Sequence, residues 1–167
     1  MLTIGDEHGG AGSGCMALIG AGLARARTGG LSFETAAGQL VDEAKSAQAR
    51  LPGFGHRVHV AIDPRVDGLF TMAAESGLAG DGIRFARALE AAISARIKPI
   101  PLNIDGALAA VLIDLGLPAM VGKLLFIVGR VAGLSAEVLE EYSREKPMRI
   151  KIPVSYDGAP PIARTKT

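Results

Sequence analysis

With a single cysteine, Cys15, the chain can form no intrachain disulfide, and a reducing, cytoplasmic setting is expected. Tryptophan is absent and only 4% of residues are aromatic, so any core must be built from aliphatic and small side chains. Nothing gathers cysteine and histidine at ligand spacing, which argues against a zinc finger or ribbon and leaves no metal site to expect. Neither sign of charge dominates. Eighteen Lys and Arg stand against 17 Asp and Glu, net charge +1, so composition calls for neither nucleic acid nor an anionic membrane as partner. The longest apolar stretch, residues 117–134, is interrupted by Lys123 and Arg130 and falls short of the ~20 apolar residues of a membrane span. The N-terminus has no basic lead before an apolar core, so no secretion signal is expected.

What is abundant is hydrophobic and small. Nearly half of the 167 residues are hydrophobic and 22 are glycine, which favours closely packed helices and one full core, or a domain with part of a second. Strand patterning is weak throughout, so the fold class is all-α. A helix is expected over 11–27, ended by Thr28-Gly29-Gly30, and another after Ser32 as N-cap, with Phe33, Ala36, Ala37, Leu40, Val41 and Ala44 on one face. Residues 51–64 read as loop. Arg65 opens a helix that stops near Gly77, and Asp81 is the expected cap of the next, striped by Phe85, Leu89, Ala92, Ile93 and Ile97. Pro99 and Pro101 then break the chain before a helix expected to bury Leu108, Val111, Leu112 and Leu115 and to end at Gly116-Leu117-Pro118. An apolar helix follows, a charged one is expected to start at Ser135, and the tail from Pro147 should be extended across another surface.

Three glycine-marked segments carry chemistry. In Leu51-Pro52-Gly53-Phe54-Gly55-His56-Arg57-Val58, closed by Asp63-Pro64-Arg65, the glycines let backbone approach a ligand, His56 can donate or accept, and Arg65 can fork onto a carboxylate. The others are Gly5-Asp6-Glu7-His8-Gly9-Gly10 and Leu102-Asn103-Ile104-Asp105-Gly106. Each has an ordinary reading beside the functional one. His8 and His56 could be structural hydrogen-bonding groups, and Asp105 could be the N-cap of its helix, a role that lowers a carboxylate pKa and weakens a base. The run Gly12-x-Gly14-x-x-Ala17 invites a dinucleotide-loop reading, but too few residues precede it for a strand and no βαβ unit follows. No Walker-type loop is present, so ATP hydrolysis by the chain alone is not expected.

In order and separation, these three segments together with Phe126-Ile127-Val128-Gly129-Arg130-Val131-Ala132-Gly133 resemble the citrate synthase superfamily, over residues 5–158. Asn103-Ile104-Asp105-Gly106-Ala107-Leu108 is most similar to the citryl-CoA-cleaving branch, which includes the C-terminal module of ATP-citrate lyase. The resemblance implies a small domain over 1–105 and the last helices and tail of an incomplete large domain over 106–167. It implies carbon–carbon bond formation or cleavage between an acyl-CoA such as acetyl-CoA and an oxo dicarboxylate such as oxaloacetate, with no permanently bound cofactor and the coenzyme A thioester as substrate. Asp105 would move the α-proton, His8 would donate to the thioester oxygen, and His56 would donate to the oxygen of the oxo acid or take the hydroxyl proton in the lyase direction. Arg65, Arg130 and Arg149 would bind substrate carboxylates, with Lys151 the alternative to Arg149. Coenzyme A would lie along Leu51, Pro52, Gly53, Phe54, Gly55 and Arg57. A homo-oligomer, or a partner chain supplying the missing large domain, is expected. The alternative is a truncated, non-catalytic module of the same family that binds coenzyme A or another protein.

Overall fold

The computed structural model describes residues 11–144. Among them are six helices and no strand: α1 Ala11–Gly29, α2 Phe33–Ser46, α3 Pro64–Glu75, α4 Asp81–Arg96, α5 Ile104–Asp114 and α6 Met120–Arg144. The all-α expectation holds. Helices α1 to α5 and α6 as far as Gly133 belong to one compact unit, and Leu134 onward to a second. None of these helices is long and apolar enough to cross a membrane.

Local signals set most of the boundaries. Ser32 caps α2 by accepting from the Thr35 N–H at 3.2 Å, and Asp63 caps α3 with Pro64 at its first position, where a missing N–H costs nothing. The chain leaves helix at Gly30, Gly77 and Gly116 as its sequence suggests. The core is aliphatic with one aromatic: Met16 and Ile19 of α1, Val41 of α2, and Phe85, Leu89 and Ile93 of α4 are all but inaccessible. Close approach makes this possible. The Phe85 ring occupies the space over Gly22 that any side chain there would need, so α1 and α4 meet nearly backbone to ring.

Three expectations need correction. Asp81 is not the cap of α4: Gly80 holds that position, and the amides of Gly80, Gly82 and Ile83 donate at 2.9, 2.6 and 3.0 Å to the carboxylate of Asp114, at the far end of α5. A carboxylate from another helix satisfies orphan amides and the helix dipole as well as a local cap does. Helix α5 turns its small face inward, burying Ala107, Ala109, Ala110 and Leu112, while Leu115 is 45% exposed. Alanine lets α5 sit close to α1 and α4, which larger side chains would hold apart. No new helix starts at Ser135, because α6 runs unbroken through it. A serine inside a long helix costs only a few tenths of a kcal/mol, roughly, and is easily carried by its flanks.

Candidate active site

The chemistry-bearing loop and the start of α5 are joined backbone to backbone. Phe54 and Leu102 form an antiparallel bridge, the Gly55 N–H donates to the Pro101 carbonyl at 2.8 Å, and the Asn103 N–H donates to the Gly53 carbonyl at 3.0 Å. The Asn103 side chain completes the junction by donating to the Gly55 carbonyl at 2.7 Å while accepting from the Gly106 N–H at 3.1 Å. Asn103, rather than Asp105, therefore caps α5. Gly53 and Gly55 have φ of 88° and 79°, a region that L side chains rarely adopt. Space is as tight as conformation: a Cβ on Gly53 would lie 2.5 Å from Cys15 Sγ, and one on Gly106 would lie 2.3 Å from the Gly53 carbonyl oxygen. So 53–56 and 102–106 behave as a single packed piece.

The start of α3 adds a further tie. Asp63, 1% exposed, accepts from Arg65 Nε at 2.8 Å and Nη2 at 2.7 Å, and also from the Ile104 N–H at 3.1 Å. One carboxylate thus fixes a guanidinium and the first turn of α5 together. The hydrogen bonds from Arg65 hold the Asp63 carboxyl down at about 2, and the same bonds, with a contribution from the charge of Asp105, hold Arg65 above its ordinary value. Asp105 also acts on Cys15, whose thiol is pushed up to about 12, first by burial and then by that carboxylate. Asp105 is thus within electrostatic reach of both Cys15 of α1 and Arg65 of α3. Glu90 of α4 adds a last tether, accepting from the Leu102 N–H at 2.7 Å and from Arg87 at 2.9 Å.

His56 is half-buried at the end of the loop. Its Nδ1 accepts from the backbone N–H groups of Val58 at 3.1 Å and His59 at 3.0 Å. An acceptor nitrogen carries no proton, so the neutral ring bears its hydrogen on Nε2 and presents a donor there. Beside the loop lies an apolar cavity of about 320 Å³ between Arg50, Leu51, Phe54 and the α4 end with Ile93, Ile97 and Ile100.

Of the residues singled out from sequence, His56, Arg65 and Asp105 are borne by segments that hydrogen bond to one another. Leu51, Pro52, Gly53, Phe54, Gly55 and Arg57 form or flank that junction; Pro52 packs on Gly14 of α1. Arg130 is exposed on α6 with its guanidinium 5.0 Å from the centre of the Phe126 ring, one turn back on the same helix. His8, Arg149 and Lys151 lie outside the described residues. Gly12 and Gly14 sit inside α1, packed on Gly122 and Pro52, which is a helix-packing face and not a phosphate loop. Asp63 was legible only as the edge of a motif, and His59 and Asn103 carried no assigned role. Among the described residues no three His, Cys, Asp or Glu side chains gather to hold a metal ion.

Residues 3–151 match the citrate synthase, C-terminal domain family. The chain belongs to the citrate synthase family. Citrate synthase 2 of Bacillus subtilis is 28% identical over 157 residues, covering 89% of this chain and 42% of that protein. Among solved structures, citryl-CoA lyase from Hydrogenobacter thermophilus superposes with a TM-score of 0.76 at 34% identity, over 97% of this chain and 62% of the other. ATP citrate lyase of Methanosaeta concilii, a D541A mutant in complex with (3S)-citryl-CoA, gives 0.66 at 25% identity, over 92% of this chain and 27% of that one. In each case the chain spans less than two thirds of its relative. Carbon–carbon chemistry between acyl-CoA and oxaloacetate is thereby supported at the level of the family.

Proposed function

We propose that this citrate synthase-family chain supplies the small-domain half of a site that cleaves or forms the bond between an acetyl-CoA-type thioester and oxaloacetate, with citryl-CoA cleavage favoured. The observation that carries it is the junction itself, which ties His56, Arg65 and the first turn of α5 into one rigid piece. Asp105 moves the α-proton, His8 donates to the thioester oxygen, and His56 donates from Nε2 to the oxygen of the oxo acid. That donor role belongs to the condensation direction; in cleavage His56 takes the hydroxyl proton at Nε2, which requires its own proton on Nδ1 and the release of two backbone hydrogen bonds. Arg65 offers the guanidinium edge that Asp63 leaves over to a substrate carboxylate, and Arg130 and Arg149 or Lys151 take the others. Coenzyme A lies along residues 51–57, with its adenine ring at the cavity between Leu51, Phe54 and Ile97.

In this reading residues 1–105 act as the small domain and 106–167 as the end of a large one, and a partner chain or second copy covers the apolar face of α6. The reaction needs no permanently bound cofactor. A second reading is a non-catalytic module of the same family that binds coenzyme A or another protein. Citryl-CoA cleavage, measured with the chain alone and with a large-domain partner, separates the two. Turnover that needs the partner and is abolished by Asp105→Asn supports the first, and coenzyme A binding without turnover in any combination supports the second.

A further inference from the structure

One histidine next to the junction is unused by this mechanism. His59 follows His56 by three residues, its ring centroid is 4.8 Å from that of His56 with the planes inclined by 31°, and its backbone N–H is one of the two donors to His56 Nδ1. Its neighbours Val58 and Val60 are 73% and 71% exposed, while His59 is half-buried. In a stretch that otherwise faces outward, this one ring turns in.

We infer that His59 is a positioning residue for His56: its amide keeps the proton on Nε2 and its ring fixes the plane in which Nε2 points. An imidazole bound by one carbon has two freedoms, the choice of tautomer and rotation about Cβ–Cγ, and the second is soft for histidine. Two N–H groups on Nδ1 settle the tautomer only while the ring stays in the plane that aims its lone pair at them. The flat face of His59 supplies that restraint, because rotation of His56 would drive its edge into the neighbouring ring. What the position requires is planarity, not a titrating group. Phenylalanine should therefore replace His59, whereas alanine or leucine should not.

This inference rests on the reading of His56 as a donor, and its test is chosen to stand apart from turnover. Nitrogen–proton correlation spectra of the imidazoles, recorded on the full chain in alkaline buffer, report the tautomer of His56 directly. Wild type and His59→Phe should show one tautomer, protonated on Nε2. His59→Ala should show the Nδ1-protonated form rising beside it, and His59→Leu, which fills the volume without a flat face, should do the same. A single Nε2 tautomer in both the alanine and leucine variants would overturn the inference, as would loss of it in the phenylalanine variant. In an assembly that condenses acetyl-CoA with oxaloacetate, the direction in which His56 donates from Nε2, His59→Ala should lower kcat about tenfold with KM within about twofold, and His59→Phe should restore it. Unchanged kcat in His59→Ala would likewise overturn it. Absence of turnover in every assembly counts against the proposed reaction, and the tautomer measurement then decides this inference by itself.

Discussion

Around the junction of the 51–56 loop with α5, backbone groups are paired and an added methyl would strike carbonyl oxygen or sulfur, whereas α6 leaves a whole apolar face in water. Met120, Leu124, Val128 and Val131 recur at helical spacing along α6 and are 72%, 50%, 67% and 45% exposed. Lys123 and Arg130 flank one edge of that stripe. At its start α6 touches α1, where Gly122 meets Gly12 and the Lys123 N–H donates to Ser13 Oγ at 3.0 Å. The first region is finished by the chain's own residues. The second has the composition of a surface that another surface covers.

If the junction is as closed as its contacts say, Cys15 beneath Gly53 should be nearly inert. With its thiol pushed from 9.0 to about 12, the thiolate available below pH 9 falls about a thousandfold, and alkylation should slow by that order until the protein is unfolded. Rapid labelling of folded protein, followed by mass spectrometry, would show that the loop does not stay seated. Gly106→Ala comes next. Its methyl would meet the Gly53 carbonyl at 2.3 Å, and we expect a loss of about 3 kcal/mol in chemical denaturation, the upper part of the usual cost of overpacking.

Asp63→Asn should cost about 2 kcal/mol, because it replaces the charged partner of Arg65 and weakens the anchor of Ile104. The pH dependence has a definite sign. A carboxyl held at about 2 in the folded chain against an ordinary 3.8 contributes stability that is fully present above about pH 4 and lost as pH falls through 2. Wild type should lose that increment in this window and Asp63→Asn should not. The smallest effect belongs to α6. Val128→Ser should change unfolding stability by less than about 0.5 kcal/mol, yet weaken any self-association seen by sedimentation. A large loss of stability would mean that the α6 stripe is already part of a core.

How much could be read in advance follows from distance along the chain. Ser32, Gly30, Gly77 and Gly116 act on residues within one turn, and each boundary was legible. The cap on α4 was not, since Asp114 reaches amides 31 to 34 residues earlier and Asp81 offered a plausible local substitute. Helix α5 misled for a related reason: the Leu and Val spacing was visible, but only the closeness of α1 and α4 decides that alanine faces them. At the site, the motifs announced His56, Arg65 and Asp105, and their order along the chain tied them together. The link between them did not show, because Asp63 joins Arg65 to Ile104 across 41 residues. Nor could spacing reveal the tautomer of His56, which two backbone amides set.

The central claim is that residues 51–57 and the first turn of α5 act as one ligand-binding piece. Titration of isotope-labelled chain with acetyl-CoA, followed through backbone amide shifts, tests it most directly. The account predicts weak binding in which Leu51, Phe54, Gly55, His56, Ile104 and Asp105 shift along a single saturation curve. No shift at millimolar acetyl-CoA, or shifts in the loop that leave the start of α5 untouched, would contradict it.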